Sequence, residues 1–240
     1  MLKCNNINVK NILCDVSFEV KRGSFTSIIG KNGSGKTTLA NCIASQRKYG
    51  GSISLGNTSM LDISPCDRAR IMAYLPQSLP SPNISVYDLV TLGRSPHTSL
   101  GAKLNKSDIE SIDNALAVTG MTMLSNRMVP SLSGGEKQRA FLAMTLAQNT
   151  DILLLDEPTA HMDMHVAAEF TELLNRLGKT LIVIMHDLSL AIKYADNVLI
   201  LDSGKQIFFG SKKDLLVTDT IEKNFNVRKI ENDGEIIFTV

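Results

Sequence analysis

At 240 residues, with 43% hydrophobic and 20% charged side chains, the chain has the make-up of an ordinary soluble globular protein, which excludes disordered and fibrous classes. Twenty-five basic and 24 acidic residues leave a formal net charge of +1 with no Lys/Arg run, which argues against nucleic acid as a partner. The most apolar stretches, Ile152–Leu155, Leu181–Met185 and Val198–Leu201, are far shorter than the roughly 20 residues of a membrane-spanning helix and read as buried strands. The N-terminus, Met1-Leu2-Lys3-Cys4, lacks the basic-then-apolar order of a secretory signal, so the expected location is the cytoplasm. Cys4, Cys14, Cys42 and Cys66 are widely spaced with no CxxC pair, which predicts reduced thiols rather than a zinc or redox site.

In chain order, Val16–Val20 and Phe25–Ile29 read as strands joined by a tight turn at Lys21-Arg22-Gly23. A helix is predicted from Gly35 to about Ser45, then strands at Ser52–Leu55 and Ile71–Leu75. From Pro76 to Ser131 strand signals fade, and Val86–Leu92 and Ser107–Val118 carry apolar residues at helical intervals, predicting a helical subdomain over about 78–148. Beyond Gly135 the pattern alternates: helix to Gln148, strand Ile152–Asp156, helix Met164–Leu177, strand Thr180–Met185, helix Leu188–Tyr194. Such alternation predicts a parallel sheet covered by helices. The tail, about 213–240, reads as a small mixed appendage with a hairpin turn at Glu231-Asn232-Asp233-Gly234.

Between the predicted strand ending at Ile29 and the helix that follows lies Gly30-Lys31-Asn32-Gly33-Ser34-Gly35-Lys36-Thr37, then Thr38. Glycine, four residues, then Gly-Lys-Thr in a strand-to-helix turn is the pattern of a phosphate-binding loop. Its glycines let backbone N–H groups close around phosphate oxygens at the positive end of the helix dipole. Lys36 supplies charge to the β- and γ-phosphates, and the Thr37 hydroxyl is a candidate Mg²⁺ ligand. Four apolar residues at Ile152–Leu155 then deliver Asp156 and Glu157 to the C-terminal edge of a strand, where open α/β sheets bind ligands. Asp156 is the candidate for holding Mg²⁺, Glu157 for orienting the attacking water. Taken alone, two acids could merely end a strand at the surface; beside a phosphate loop that reading loses its weight.

Leu132-Ser133-Gly134-Gly135-Glu136-Lys137-Gln138-Arg139, just ahead of the Asp-Glu strand, resembles the signature sequence of ABC ATPases. Gln77, after Tyr74-Leu75-Pro76, resembles the Q-loop glutamine of that family, Pro158-Thr159-Ala160-His161-Met162-Asp163 its D-loop region, and His186-Asp187 its switch histidine. The resemblance spans residues 30 to 187. It implies an α/β fold: a P-loop NTPase core with a mostly parallel sheet, an N-terminal antiparallel β subdomain and a helical signature subdomain. It implies an ATP hydrolase using ATP and Mg²⁺, with Glu157, His186 and Gln77 catalytic, Thr37, Gln77 and Asp156 around the metal, and Asp163 near the nucleotide. Ser133, Gly134 and Gly135 would grip the γ-phosphate bound to the opposite subunit of a homodimer. On residues alone, Ser133-Gly134-Gly135 could be only a helix cap, and His186 only a strand-end histidine. His161 and His165 stand four apart, but a metal site there is disfavoured.

The family usually stacks an aromatic residue on adenine near the chain start, and counting back from Ile12-Leu13 puts Ile7 there, so weak selection between ATP and GTP is expected. Ser85 to His97, with Gly93-Arg94-Ser95-Pro96, resembles the importer branch for ferric siderophores, haem and cobalamin, which usually has an aromatic residue at the position of Ser95. That branch implies integral membrane permease subunits, an extracytoplasmic binding protein acting indirectly, and a peripheral place on the cytoplasmic face of the membrane. The rivals are an ABC ATPase without transport duty, in DNA repair or on ribosomes, and a P-loop kinase, which leaves Leu132–Arg139 unexplained.

Overall fold

A computed structural model describes residues 1–98, 102–160, 162–232 and 235–239. Strands β1 (Leu2–Val9) and β2 (Leu13–Val20) form an antiparallel pair whose apolar residues recur in near alternation, burying Leu2, Cys4, Ile7 and Val9 beside Leu13, Val16, Phe18 and Val20. After them come β3 (Phe25–Gly30), α1 (Lys36–Ile43), β4 (Gly50–Leu55), β5 (Thr58–Ser59), α2 (Pro65–Ile71) and β6 (Met72–Leu75). Helices α3 (Val86–Leu92), α4 (Lys106–Val118) and α5 (Gly134–Ala147) fill the stretch that reads as helical in the sequence. Then follow β7 (Ile152–Asp156), α6 (Met164–Arg176), β8 (Thr180–Ile184), α7 (Leu188–Tyr194), β9 (Asn197–Asp202) and β10 (Lys205–Ser211). The tail holds α8 (Lys212–Leu216), α9 (Thr220–Phe225), β11 (Arg228–Asn232) and β12 (Glu235–Thr239).

The large sheet runs β5-β4-β1-β2-β10-β9-β3-β8-β7-β6. From β9 to β6 the neighbours are parallel, while β1, β2, β4 and β5 are antiparallel. The central strands are apolar on both faces because both are covered. Leu153, Leu155, Leu181 and Val183 point into one core with Phe141 and Phe170, while Ile152, Leu154, Ile182 and Ile184 point into the other with Leu39 and Ile43.

Two sequence readings need refinement. The strands predicted on either side of Lys21-Arg22-Gly23 exist, yet they do not pair: β2 lies against β1 and β10, β3 between β9 and β8. The turn, with Gly23 at φ +72°, swings the chain from the antiparallel part to the parallel part. Ile71, read as the start of a strand, instead closes α2, which is opened by the Ser64 hydroxyl accepting from Asp67 N–H and by Pro65 in its first turn. β11 and β12 pair as a hairpin, although Asp233 and Gly234 lie outside the described residues.

The stretch after α3 is a structural bolt. A methyl group on Gly93 would sit 2.2 Å from Met144 O, so only glycine lets α3 close on α5. Arg94, buried, donates to Asp108 Oδ1 at 2.9 Å and to Ala147 O, on the last residue of α5, at 2.7 Å. Asn105 N–H, then the Arg94 guanidinium, hold the Asp108 carboxyl below its ordinary range, against the effect of burial. Arg70 Nε and His97 Nε2 extend the bolt to Pro96 O and Gln148 O. Ser95 is exposed, so the missing aromatic side chain leaves no hole in the packing.

Candidate functional site

β3 ends in the phosphate loop, where a methyl group on Gly30 would lie 2.3 Å from Leu201 O of β9. Gly33 and Gly35 take left-handed φ of +79° and +97°, and Gly35 caps α1 with no side-chain bond, which leaves the first-turn N–H groups facing the loop. Lys36 is 6% exposed; its ammonium donates to Gly30 O at 2.7 Å and Lys31 O at 3.1 Å, so the cation already sits in the mouth of the loop. Burial pulls the Lys36 pKa down, while the charges of Glu157 and Asp156 oppose that shift.

Asp156 ends β7 with no exposed surface, and neither carboxylate oxygen has a donor in hydrogen-bonding geometry. Burial pushes its pKa up, the nearby Thr37 hydroxyl opposes this, and Glu157 adds to it. An unpaired buried carboxylate carries a desolvation cost that a cation would relieve. The neighbouring Glu157 holds a left-handed φ of +50° just before Pro158, its N–H bound to Ile184 O at 3.1 Å. Its carboxylate accepts from Gln77 Nε2 at 2.7 Å. The loop, Gln77, Glu157 and the exposed His186 line one cavity of about 520 Å³; a second of about 520 Å³ shares Gln77, Glu157 and His186 and continues to Met162 and Asp187. A larger cavity, about 720 Å³ among α4, α5 and α6, has neither a glycine loop nor an acidic pair.

Of the predicted residues, Asn32, Gly33, Ser34, Gly35, Lys36, Thr37 and Thr38 meet Gln77, Glu157 and His186 at this cavity, with Gly30 and Lys31 contributing carbonyls to Lys36. Ser133, Gly134 and Gly135 do not line it. Ser133 Oγ accepts from Glu136 N–H at 3.3 Å, and Ser133 N–H donates to Glu136 Oε2 at 2.8 Å. The bland helix-cap reading is thus true of the side chain, while Ser133 and Gly134 stay exposed at the start of α5. Asp163 opens α6 without a side-chain cap and also lies away from the cavity. His165 pairs with Glu169 at 3.2 Å, and His161 lies outside the described residues.

Ile7 needs correction. It has no exposed surface and packs inside the core with Val16 and Ile53, so it cannot face a base. Ile12, in the short β1–β2 turn, lines the cavity instead. Counting back from Leu13 to Ile7 presumes a longer turn; the Ile12 N–H bond to Val9 O at 2.9 Å closes it within a few residues. Tyr74 carries no sequence signal as a neighbour of the acids, yet it is one: its hydroxyl donates to Asn41 Oδ1 at 3.2 Å, and burial followed by the Asp156 charge raises its pKa.

A glycine loop between strand and helix, facing an acidic pair at the same sheet edge, defines a P-loop nucleotide hydrolase. Residues 13–160 match the ABC transporter family, and the chain belongs to it. It is 39% identical to the petrobactin import ATP-binding protein FpuC of Bacillus anthracis, the match covering 89% of this chain and 80% of that one. With the iron(3+)-hydroxamate import ATP-binding protein FhuC of Bacillus subtilis it shares 35% identity over 94% of this chain and 84% of the relative. Its fold superposes with a TM-score of 0.75 and 26% identity on the dimeric ATP-binding cassette MJ0796 in a post-hydrolysis state bound to ADP and Pi, covering 88% of this chain and 99% of that one.

Proposed function

We propose that the chain is the ATP-hydrolysing motor of an importer for ferric siderophores or related iron chelates. It works as a homodimer under integral membrane permease subunits, at the cytoplasmic face of the membrane, with an extracytoplasmic binding protein delivering cargo to the permease. Residues 1–240 form one cassette in this reading, with a helical subdomain at about 78–148 and an appendage at about 213–240. The observation that carries the catalytic part is the buried Asp156, neither of whose carboxylate oxygens has a hydrogen-bond partner, beside Glu157, which lines the same cavity as Lys36. The cargo class rests on the relatives.

Chemically, backbone N–H groups of Asn32 to Thr38 and the Lys36 ammonium bind the triphosphate. Glu157 accepts a proton from the attacking water while His186 and Gln77 orient it. Thr37, Asp156 and the Gln77 amide oxygen suit Mg²⁺, a hard cation that takes oxygen donors and keeps waters and substrate phosphates as its other ligands. When bound, Mg²⁺ neutralises charge on the phosphates. Ser133, Gly134 and Gly135, away from their own chain's cavity, serve the partner's nucleotide, as does Asp163 at the dimer seam.

The test is uptake: the chain, purified with its permease and reconstituted in vesicles, drives ATP-dependent accumulation of a ferric chelate. ATP hydrolysis without accumulation of any ferric chelate would favour the ABC ATPase lacking transport duty. Base selection supplies a second expected result. Aromatic stacking on a base contributes roughly 1–3 kcal/mol, and Ile12 offers only aliphatic contact, so GTP competes with ATP nearly on equal terms and Ile12→Tyr tightens both. A strong preference for ATP in competition binding by the unaltered protein would mean that another side chain packs on adenine.

A further inference from the structure

The turn between β9 and β10 consists of Ser203 and Gly204, both with left-handed φ, +49° and +78°, the backbone that primed hairpin turns require. It meets the phosphate loop and the β1–β2 turn at one point. Gly204 N–H donates to Ser34 O at 3.2 Å, and Gly204 O accepts from Cys14 N–H at 2.8 Å. The next residue, Lys205, pairs with Cys14, the pairing that joins β10 to β2 and so the parallel part of the sheet to the antiparallel part. No side chain fits in this junction. A methyl group on Gly204 would lie 2.1 Å from Ile12 O and 3.5 Å from Leu13 Cα. Leu13 presses on the phosphate loop in turn, since a methyl group on Gly35 would lie 2.6 Å from Leu13 Cδ2.

Ile12 therefore reaches the cavity from a turn whose distance to Ser34 is set by Gly204 main chain. We propose that Gly204 is a positioning residue for nucleotide binding: it holds the phosphate loop and the Ile12 turn in register, so that one ligand can touch both. This rests on the reading of the cavity as a nucleotide site. A methyl group cannot stand 2.1 Å from Ile12 O, so the two turns must move apart and one ligand no longer meets both well. Gly204 touches no ligand itself.

A matched control separates positioning from general destabilisation. Gly23 has nearly the same φ, +72°, no atom within 4 Å of the point a methyl group would occupy, and a place at the opposite end of β3 from the phosphate loop. Gly204→Ala and Gly23→Ala thus carry similar backbone strain, but only the first collides with the site. Calorimetric binding of a non-hydrolysable ATP analogue and of inorganic tripolyphosphate is measured with Mg²⁺ on both variants and the unaltered protein, with thermal midpoints alongside. Gly204→Ala should bind the analogue at least about tenfold more weakly and lose less for tripolyphosphate, which does not reach Ile12. Gly23→Ala, which adds the backbone strain without the collision, should lower the midpoint by less than Gly204→Ala and bind both ligands normally. Wild-type affinity in Gly204→Ala, or equal loss in Gly23→Ala, would overturn the proposal. Should Gly204→Ala not fold, Gly204→Asn, which tolerates left-handed backbone better yet brings the same Cβ onto Ile12 O, answers the same question. If the unaltered protein bound neither ligand, the nucleotide reading itself would fall, a result independent of either variant.

Discussion

Glu157→Gln is expected to bind ATP like the unaltered protein, to lose turnover by about 10²–10⁴-fold, and to accumulate as an ATP-held dimer on size exclusion. The side chain keeps its shape, and its amide oxygen can still accept from Gln77 Nε2, 2.7 Å from the carboxylate in the present structure. Glutamine also occupies the φ of +50° before Pro158 at no greater cost than glutamate, so the fold is not at issue. What disappears is the negative charge that accepts a proton from water. Turnover at the parent rate would remove Glu157 from catalysis and pass the role to another group on the cavity, of which His186 is the nearest in kind.

Arg94→Ala has the largest expected effect on stability. The substitution leaves Asp108 charged and buried, and strips Ala147 O of its donor at the end of α5. Removing one partner of a buried ion pair costs about 3–5 kcal/mol, a large fraction of the roughly 5–15 kcal/mol that holds a typical domain together. Arg94→Lys should recover little of it, because a single ammonium cannot reproduce the planar fork that serves Asp108 and Ala147 at once. Urea midpoints of both variants measure this. A loss below about 1 kcal/mol for Arg94→Ala would mean that water enters and replaces the guanidinium.

The catalytic half of the site is legible along the chain because its parts are local. Gly30 to Thr38 form one strand-to-helix turn, and Asp156 and Glu157 end one apolar strand, so spacing alone identifies them. The parallel core is legible for a similar reason: strands buried on both faces read as unbroken apolar runs, and helices α3 and α4 carry their own periodicity. Ser133 is a cap within its own chain, and only a second chain could make it more, which no local pattern can specify.

Tertiary structure alone decided what pairing brings together from distant positions. Nothing local marks Ile7 as core and Ile12 as cavity wall; the tight closure of Ile12 on Val9 decides it, by setting which face of β1 turns inward. Gly93-Arg94 reads in the sequence as a mark of one transporter branch, whereas its physical role emerges only when Asp108 and Ala147 arrive from elsewhere in the chain. Gly204 shows no motif at all. Its importance comes from Ser34 and Ile12, both far earlier in the chain, meeting it across a sheet junction where main chain must touch main chain and no side chain can stand between them.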